Sequence, residues 1–206
     1  MATNKPVSQQ NLTNFQIIEP LFYKEFNTID PIFPEWTLER MPRNVNTNRL
    51  RLDKNKIVGK WFYETYNTKG RFRCVKCIKS DVAEKNAIWS SAYTTILFRA
   101  YYGPDTDEYG QVWIGGWIQM KIFAQGCKEC HEYMTGELTN ERSQHLVTWL
   151  HRWIANKFYG LHFSHNGYRG QLTNRDHLVD LCEACAVGCC LYRKRHDQLT
   201  NLVITE

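Results

Sequence analysis

The hydrophobic and polar positions of residues 87–124 alternate with the period of β-strands. Two aromatic and β-branched stretches, residues 87–102 and 111–124, flank the sequence GPDTDEYG, whose glycine, proline and aspartate residues are typical of a turn. They predict a β-hairpin whose second arm has one buried face, with a bulge at Gly115 and Gly116. The apolar parity of that arm comprises Val112, Ile114, Ile118, Met120 and Ile122, and the other parity comprises Trp113, Trp117, Lys121 and Phe123.

A different period follows in residues 139–160. Thr139 and Asn140 are candidate N-caps, and Gly160 is a candidate C-cap. The apolar positions between them share one helical stripe, formed by Leu146, Leu150, Ile154 and Phe158. This segment predicts an amphipathic helix, and we expect it to pack across the sheet and to bury at least one of Trp113 and Trp117.

The remaining segments divide the chain into three parts. Residues 1–50 are predicted to form a separate, partly extended N-terminal leader, because a helical spacing at 14–26 is followed by three prolines. Residues 51–192 form the main domain, which opens with the strand-like sequence KIVGKWFYETY. Residues 193–206 are a basic and polar C-terminal tail.

The composition excludes several classes of protein. No stretch approaches the length of uninterrupted apolar sequence that crosses a bilayer, and the N-terminus lacks the apolar core of a secretory signal. We therefore expect a cytoplasmic protein, with peripheral contact at the cytoplasmic face of membranes as a variant of that location. Reducing conditions there favour metal-bound cysteines over disulfides.

Eight cysteines are present, and six of them form three CxxC pairs, a spacing that lets both sulfurs of a tight turn bind one ion. His177 and a cysteine after the third pair raise the ligand count to eight, enough for two closed tetrahedral Zn(II) sites, one of four cysteines and one of three cysteines with histidine. The predicted ligands are Cys74, Cys77, Cys127, Cys130, His177, Cys182, Cys185 and Cys190.

Several alternatives to this ligand set stay open at the level of sequence. Cys189 could exchange roles with Cys190, and His131 or His165 could compete as ligands. The sequence does not decide which pairs share an ion. A redox pair is disfavoured because no CxxC precedes the long helix, and Glu183 is conceivable as the acid or base of a catalytic zinc, though a solvated residue is the expected role. We expect no enzymatic activity and no small-molecule substrate.

A basic and aromatic stretch in residues 61–79 suggests a second kind of function. Near the first CxxC pair, four cationic residues flank one aromatic residue, as in surfaces on which single-stranded RNA stacks. The cations are Arg71, Arg73, Lys76 and Lys79, and the aromatic residue is Phe72. The formal charge of +5 gives little support, because seven thiolates and two Zn(II) ions would reduce it to +2. Basic groups around a zinc–thiolate site are the more ordinary explanation.

The order of these motifs resembles the zinc-binding domain of the receptor-transporting protein family, which is related to the zygote-arrest proteins. The resemblance rests on GRFRCVKCIKS, WSSAY, KIFAQGCKEC and HLVDLCEACAVGCC, and it covers roughly residues 57–190. Two features depart from the family: DVAEKNAI is inserted before Trp89, and we expect no counterpart of the transmembrane helix that ends many members. The family's last cysteine falls on Cys190, in agreement with the ligand count.

Sequence and resemblance together lead to one prediction. The fold is α+β, an antiparallel β-sheet with one amphipathic helix, stapled by two structural zinc sites. The resemblance implies a zinc-binding adaptor or chaperone that binds G-protein-coupled receptors of the olfactory or chemosensory kind and aids their targeting to the membrane. The alternative is an RNA-binding zinc protein that acts in RNA regulation or antiviral defence.

Overall fold

The computed structural model of the 206-residue chain describes residues 9–27, 36–43, 45, 57–58, 60–80, 84–106, 109–163, 177–190 and 192. It contains α1 (Gln9–Asn27), β1 (Trp36–Arg40), β2 (Ile57–Val58), β3 (Trp61–Arg73), α2 (Val75–Lys79), α3 (Glu84–Ala87), β4 (Ile88–Thr106), β5 (Val112–Ile122), β6 (Ala124–Gly126), β7 (Tyr133–Thr135), α4 (Asn140–Tyr159), a 3₁₀ turn (Val179–Leu181) and α5 (Glu183–Ala186). The predicted α+β class is confirmed.

The hairpin predicted from the alternating pattern is formed by β4 and β5. The two strands pair antiparallel from Ile96 opposite Ile122 to Thr106 opposite Val112. This register runs through Gly115 without a break, so the predicted bulge is wrong. The glycine is needed for another reason: an added Cβ would meet the indole ring of Trp113, which lies across it.

The main sheet has five strands in the order β1, β5, β4, β3, β2. Three of its four pairings are antiparallel, as predicted, and β1 adds a parallel pairing to β5 that makes the sheet mixed. The register of β3 against β4 shifts between Thr68 and Gly70. Beyond that shift β3 leads directly into the first CxxC pair, so the sheet carries this pair at the end of a long strand.

The long helix α4 has the caps and the buried stripe that its sequence predicted. The Thr139 hydroxyl accepts a hydrogen bond from the Arg142 backbone N–H, and Gly160 ends the helix in the left-handed conformation with φ of 66°. Leu146, Leu150 and Ile154 are fully buried against the sheet. Burial of three such side chains contributes roughly 5–9 kcal/mol of hydrophobic free energy.

Residues of the predicted leader lie in the same core as the sheet. Ile18 and Phe22 of α1 are fully buried in the cluster that includes the stripe of α4. Asn14 donates to the Gly136 carbonyl and accepts from the Leu138 backbone N–H, at 2.6 and 3.0 Å. Among the described residues, two long helices therefore lie on one face of the sheet rather than the single one that was predicted, because α1 has an apolar stripe that needs burial.

The opposite face of the sheet holds a second cluster and several exposed aromatic rings. Tyr63, Leu97 and Phe123 are buried there with the cysteines of the third CxxC segment. Trp113 and Trp117 also lie on this side, with ring centroids 4.8 Å apart and both rings partly exposed. The expectation that α4 would bury one of them is wrong, because α4 covers the other parity of β5.

Within the described ranges, no helix combines the length and the apolar character that a bilayer span requires.

Candidate metal centres

The first two CxxC pairs meet at one end of the sheet. Cys74 precedes α2 and Cys77 lies within it, while Cys127 follows β6 and Cys130 closes the next turn. Each turn is held by its own backbone: Ile78 N–H donates to the Cys74 carbonyl and His131 N–H donates to the Cys127 carbonyl. The four sulfurs lie within 4.8 Å of one another. We call this group cluster 1.

The geometry of cluster 1 fits a tetrahedral metal ion. The Cys74 and Cys130 sulfurs are 3.4 Å apart, and those of Cys77 and Cys127 are 3.7 Å apart. Zn–S bonds of about 2.3 Å give sulfur–sulfur edges of about 3.8 Å. The two distances are therefore close to the edges of a zinc–thiolate tetrahedron.

The electrostatics of cluster 1 also indicate a cation. Burial raises the pKa of Cys77, and the neighbouring thiols of Cys130 and Cys74 raise it further. The backbone N–H of Glu132 lowers the pKa of Cys130. Four thiolates at this separation repel one another in a dry site, so full deprotonation requires a bound positive charge, which Zn(II) supplies.

The third CxxC pair forms a separate group with one histidine and one further cysteine. Cys182 immediately precedes α5, and Cys185 lies within this helix. His177 lies two residues before the 3₁₀ turn, and Cys190 lies four residues after α5. The His177 Nε2 atom is 3.2 Å from the Cys185 sulfur and 3.6 Å from that of Cys190. A tetrahedral zinc site has nitrogen–sulfur edges of about 3.5 Å. We call this group cluster 2.

Charge in cluster 2 is shared between the imidazole and the thiols. Burial alone would lower the pKa of His177, but contacts with Cys182 and Cys190 raise it to about 9. Hydrogen bonds from Cys182 and Cys185 lower the pKa of Cys190. These directions pair a protonated His177 with a single thiolate, that of Cys190, and a metal ion bound through the Nε2 atom of His177 would displace that proton.

The described alternative ligands, Cys189 and His131, belong to neither cluster. Cys189 is buried, and its sulfur points to the Val187 carbonyl at 3.9 Å rather than into cluster 2. His131 is exposed, with a positive φ of 60° that belongs to the turn after Cys130. His165 lies outside the described residues. Of the described residues, cluster 1 and cluster 2 thus take up the eight predicted ligands in two sets of four.

Gln125 connects the two clusters and was missed by sequence reasoning. It lies in β6, two residues before Cys127, and its backbone forms an antiparallel bridge with Cys182 of cluster 2. Its side-chain oxygen accepts from Trp89 Nε1 at 3.3 Å, and its nitrogen donates to the Ser91 hydroxyl at 2.8 Å. No local pattern could have predicted this, because each partner is more than thirty positions away.

Glu183, inside the third CxxC pair, ties cluster 2 to the sheet. Its carboxylate accepts from the Ala124 backbone N–H at 2.8 Å and pairs with Lys121 at 2.8 Å. Both oxygens therefore have a structural partner. The position matches neither a freely solvated residue nor a general base aimed at a metal-bound water.

The predicted RNA-binding residues have mixed positions. The cationic side chains at 71, 73, 76 and 79 are exposed around cluster 1, and Lys76 forms an ion pair with Glu132 at 3.5 Å. Phe72 is fully buried and stacks on Trp89 with ring centroids 5.3 Å apart, so it cannot stack on a base. The role proposed for Phe72 is wrong because this parity of β3 faces the packing around cluster 1. The basic tail lies outside the described residues.

Comparison with known proteins agrees with the zinc ligand chemistry. The sequence model of a three-CxxC zinc-ribbon family, described as a zinc-binding domain, matches residues 67–188. Receptor-transporting protein 3 of Mus musculus is 28% identical over 136 residues, which cover 63% of this chain and 26% of that protein. The chain therefore spans about a quarter of the length of this curated relative. No solved structure gives a significant match.

Proposed function

The chain belongs to the three-CxxC zinc-ribbon family of zinc-binding domains, and from that premise we propose that it is a zinc-stabilised, non-enzymatic accessory protein for membrane receptors. Its clients would be seven-helix receptors of the chemosensory kind, which it would bind at the cytoplasmic face and help to reach the membrane. The two clusters fit two zinc ions, which are the cofactors of this proposal.

The observation that carries the proposal is the similarity to a receptor-transporting protein over more than half of the chain. The similarity covers 63% of this chain, and the family match includes seven of the eight clustered ligands. Matched regions of this extent support a shared zinc domain. The receptor role is drawn from the name of that relative alone, so it needs a direct test.

The ligand sets support a structural rather than a catalytic role for the metal. Each cluster offers four protein donors, which complete tetrahedral coordination and leave no position for a water or a substrate. A catalytic zinc site typically keeps one position open. Metal bound in the two clusters would hold α2, α5 and the turn after β6 in place. We expect chelation of the metal to unfold these segments.

The proposal predicts a zinc-dependent increase in receptor surface level. Tagged seven-helix receptors would be co-expressed with the intact chain, and their surface fraction and co-purification measured. We expect Cys130→Ser and Cys185→Ser, each of which removes one ligand, to abolish both effects. Cys189→Ser is the matched control, because that buried thiol lies outside both clusters. An unchanged surface level across a panel of receptors would refute the receptor role.

RNA binding is the second candidate, and the four exposed cations around cluster 1 favour it. It would have to rest on phosphate contacts, because Phe72 is buried. Titration of the zinc-loaded protein with unstructured single-stranded RNA at rising salt would test it. Tight binding at physiological salt that weakens in the double variant Arg71→Ala, Arg73→Ala would place this function first, and loss of binding there would exclude it.

A further inference from the structure

One end of the β4–β5 hairpin extends beyond its neighbours in the sheet. The ladder between β3 and β4 ends with Phe62 opposite Ala100, and that between β1 and β5 ends with Trp36 opposite Gly116. Among the described residues, 101–106 therefore pair only with β5, and 112–115 pair only with β4. We call these ten residues the hairpin end. It presents both faces of a two-stranded ribbon instead of one face of a covered sheet.

One face of the hairpin end is apolar and exposed. Val112 and Ile114 are 69% and 62% exposed, and the residues opposite them are Thr106 and Pro104. Tyr102 continues this face at 37% exposure, where the rings of Trp36 and the end of α4 begin to cover it. The two β-branched side chains lie on one face and form an exposed apolar patch that a partner could cover.

The other face is built of stacked aromatic rings. Trp117 stacks on Tyr101 with ring centroids 5.5 Å apart, and Trp113 packs beside Trp117 at 4.8 Å. Gly115 provides the space across which the indole of Trp113 lies. Because rings held in this way lose little conformational freedom on binding, the hairpin end is preorganised for a ligand.

The charge of this region is opposite to that of the whole chain. Residues 100–120 include three carboxylates, Asp105, Asp107 and Glu108, and no lysine, arginine or histidine, whereas the chain carries a formal charge of +5. Asp105 is exposed and lies opposite Trp113, on the aromatic face of the hairpin end. Lys60 Nζ lies 3.8 Å from the centroid of the Tyr101 ring, so the excess of carboxylates is confined to the part of the hairpin end near Asp105, where a cationic partner would be attracted.

We propose that the hairpin end is a docking surface for a basic and apolar polypeptide segment, in which lysine or arginine alternates with apolar side chains. The apolar residues would cover Val112 and Ile114, and the cations would approach the Asp105 carboxylate and the indole of Trp113. Such segments lie at the cytoplasmic ends of transmembrane helices. The identification of the segment with part of a receptor rests on the function proposed above.

A peptide titration tests the docking surface without any receptor. The probe is a synthetic peptide that alternates lysine with leucine, titrated into the zinc-loaded intact chain by calorimetry, with a matched peptide that has glutamate in place of lysine. We expect only the lysine peptide to bind. The double variant Val112→Ser, Ile114→Ser should weaken binding about tenfold or more, whereas Leu161→Ser, a 38% exposed apolar residue after α4, should not.

Salt and charge variants provide the second arm. Asp105→Asn should weaken binding of the lysine peptide at low salt, and the difference from the wild type should shrink as salt is raised. Circular dichroism of each variant checks the fold. Equal binding of the glutamate peptide, or unchanged affinity in the Val112 and Ile114 variant, would overturn the proposal. Hairpin-dependent binding of anionic vesicles or RNA instead of the peptide would overturn it as well.

The outcome can be separated from that of the receptor assay. If the hairpin variant loses the peptide but still raises receptor surface level, the receptor role stands and the assignment of this surface to the receptor is overturned. If no receptor responds to the wild type while peptide binding still depends on Val112 and Ile114, the docking surface stands and the receptor role fails.

Discussion

Replacement of Gln125 by leucine should destabilise the zinc-loaded protein at both metal clusters. Leucine keeps most of the side-chain volume, so the change removes hydrogen bonds rather than creating a cavity. Gln125 is 9% exposed, and its amide contacts Trp89 Nε1, the Ser91 hydroxyl and, at 3.4 Å, the Tyr93 carbonyl. These partners belong to β4, which is held between the two clusters.

The magnitude follows from the lengths of these bonds. The bond to Ser91 has good geometry and contributes about 1 kcal/mol, and the two longer bonds contribute about half of that each. Leaving Trp89 Nε1 without this acceptor in a partly buried site costs about 1 kcal/mol more. The total of roughly 3 kcal/mol is a large part of the 5–15 kcal/mol that stabilises a typical domain.

Two measurements check this estimate. Urea unfolding of the zinc-loaded variant gives the free-energy change, and the rate of zinc transfer to a colorimetric chelator reports on the clusters. We expect both zinc ions to be released faster, because β6 leads into cluster 1 and bridges to cluster 2. Gln125→Glu should recover part of the loss, since a carboxylate accepts from Trp89 and Ser91. Gln16→Leu, at an exposed position of α1, is the control.

Two results would refute this reasoning. A loss of less than about 0.5 kcal/mol would mean that the Gln125 contacts add nothing beyond those of an ordinary surface residue. Faster release of one zinc with the other unchanged would mean that β6 does not couple the two clusters.

Two further predictions concern the metal ligands and a buried histidine. Cys130→Ser should lower the bound zinc from two ions to one, whereas Cys189→Ser should leave two, as measured by metal analysis after dialysis; equal stoichiometry in both variants would contradict the division into two clusters. Burial lowers the pKa of His151 below its usual 6.5, so the folded state favours the neutral imidazole. Above pH 6.5 the imidazole is neutral in both the folded and the unfolded state. As the pH falls below 6.5, the unfolded state takes up the proton first, and the free energy of unfolding decreases. Between pH 7.5 and 5.5, the free energy of unfolding in urea should therefore decrease more for the wild type than for His151→Gln. Equal decreases in both proteins, as expected from the acid-sensitive zinc sites alone, would contradict this.

Local features of the protein follow from the sequence by itself. Helix α4 was predicted from Thr139 to Gly160 because its caps and its apolar stripe are read within a few residues of one another. The hairpin was predictable for the same reason, since strand period and turn residues are local. Zinc chemistry also follows from short spacing, because two cysteines three positions apart reach one ion whatever surrounds them.

Burial of individual side chains was decided by the tertiary structure. Arg71, Phe72 and Arg73 alternate in sequence as an exposed basic and aromatic surface would, yet Phe72 packs against Trp89 and Gly136. Val112 follows the apolar parity of β5 but is exposed, because the hairpin extends past α4. Strand period predicts two faces, and only the elements packed on each face decide which is buried.

The partners of each CxxC pair are the clearest case of a tertiary decision. The sequence determined that six paired cysteines, with His177 and one later cysteine, could complete two zinc sites. It did not determine that Cys74 meets Cys130, 56 positions away, or that Cys190 rather than Cys189 faces His177. These contacts form because β3 and β6 end at the same edge of the fold, and because the backbone after α5 turns one of two adjacent thiols inward. Ligand number is a local property, whereas ligand pairing depends on long-range strand contacts that no short pattern contains.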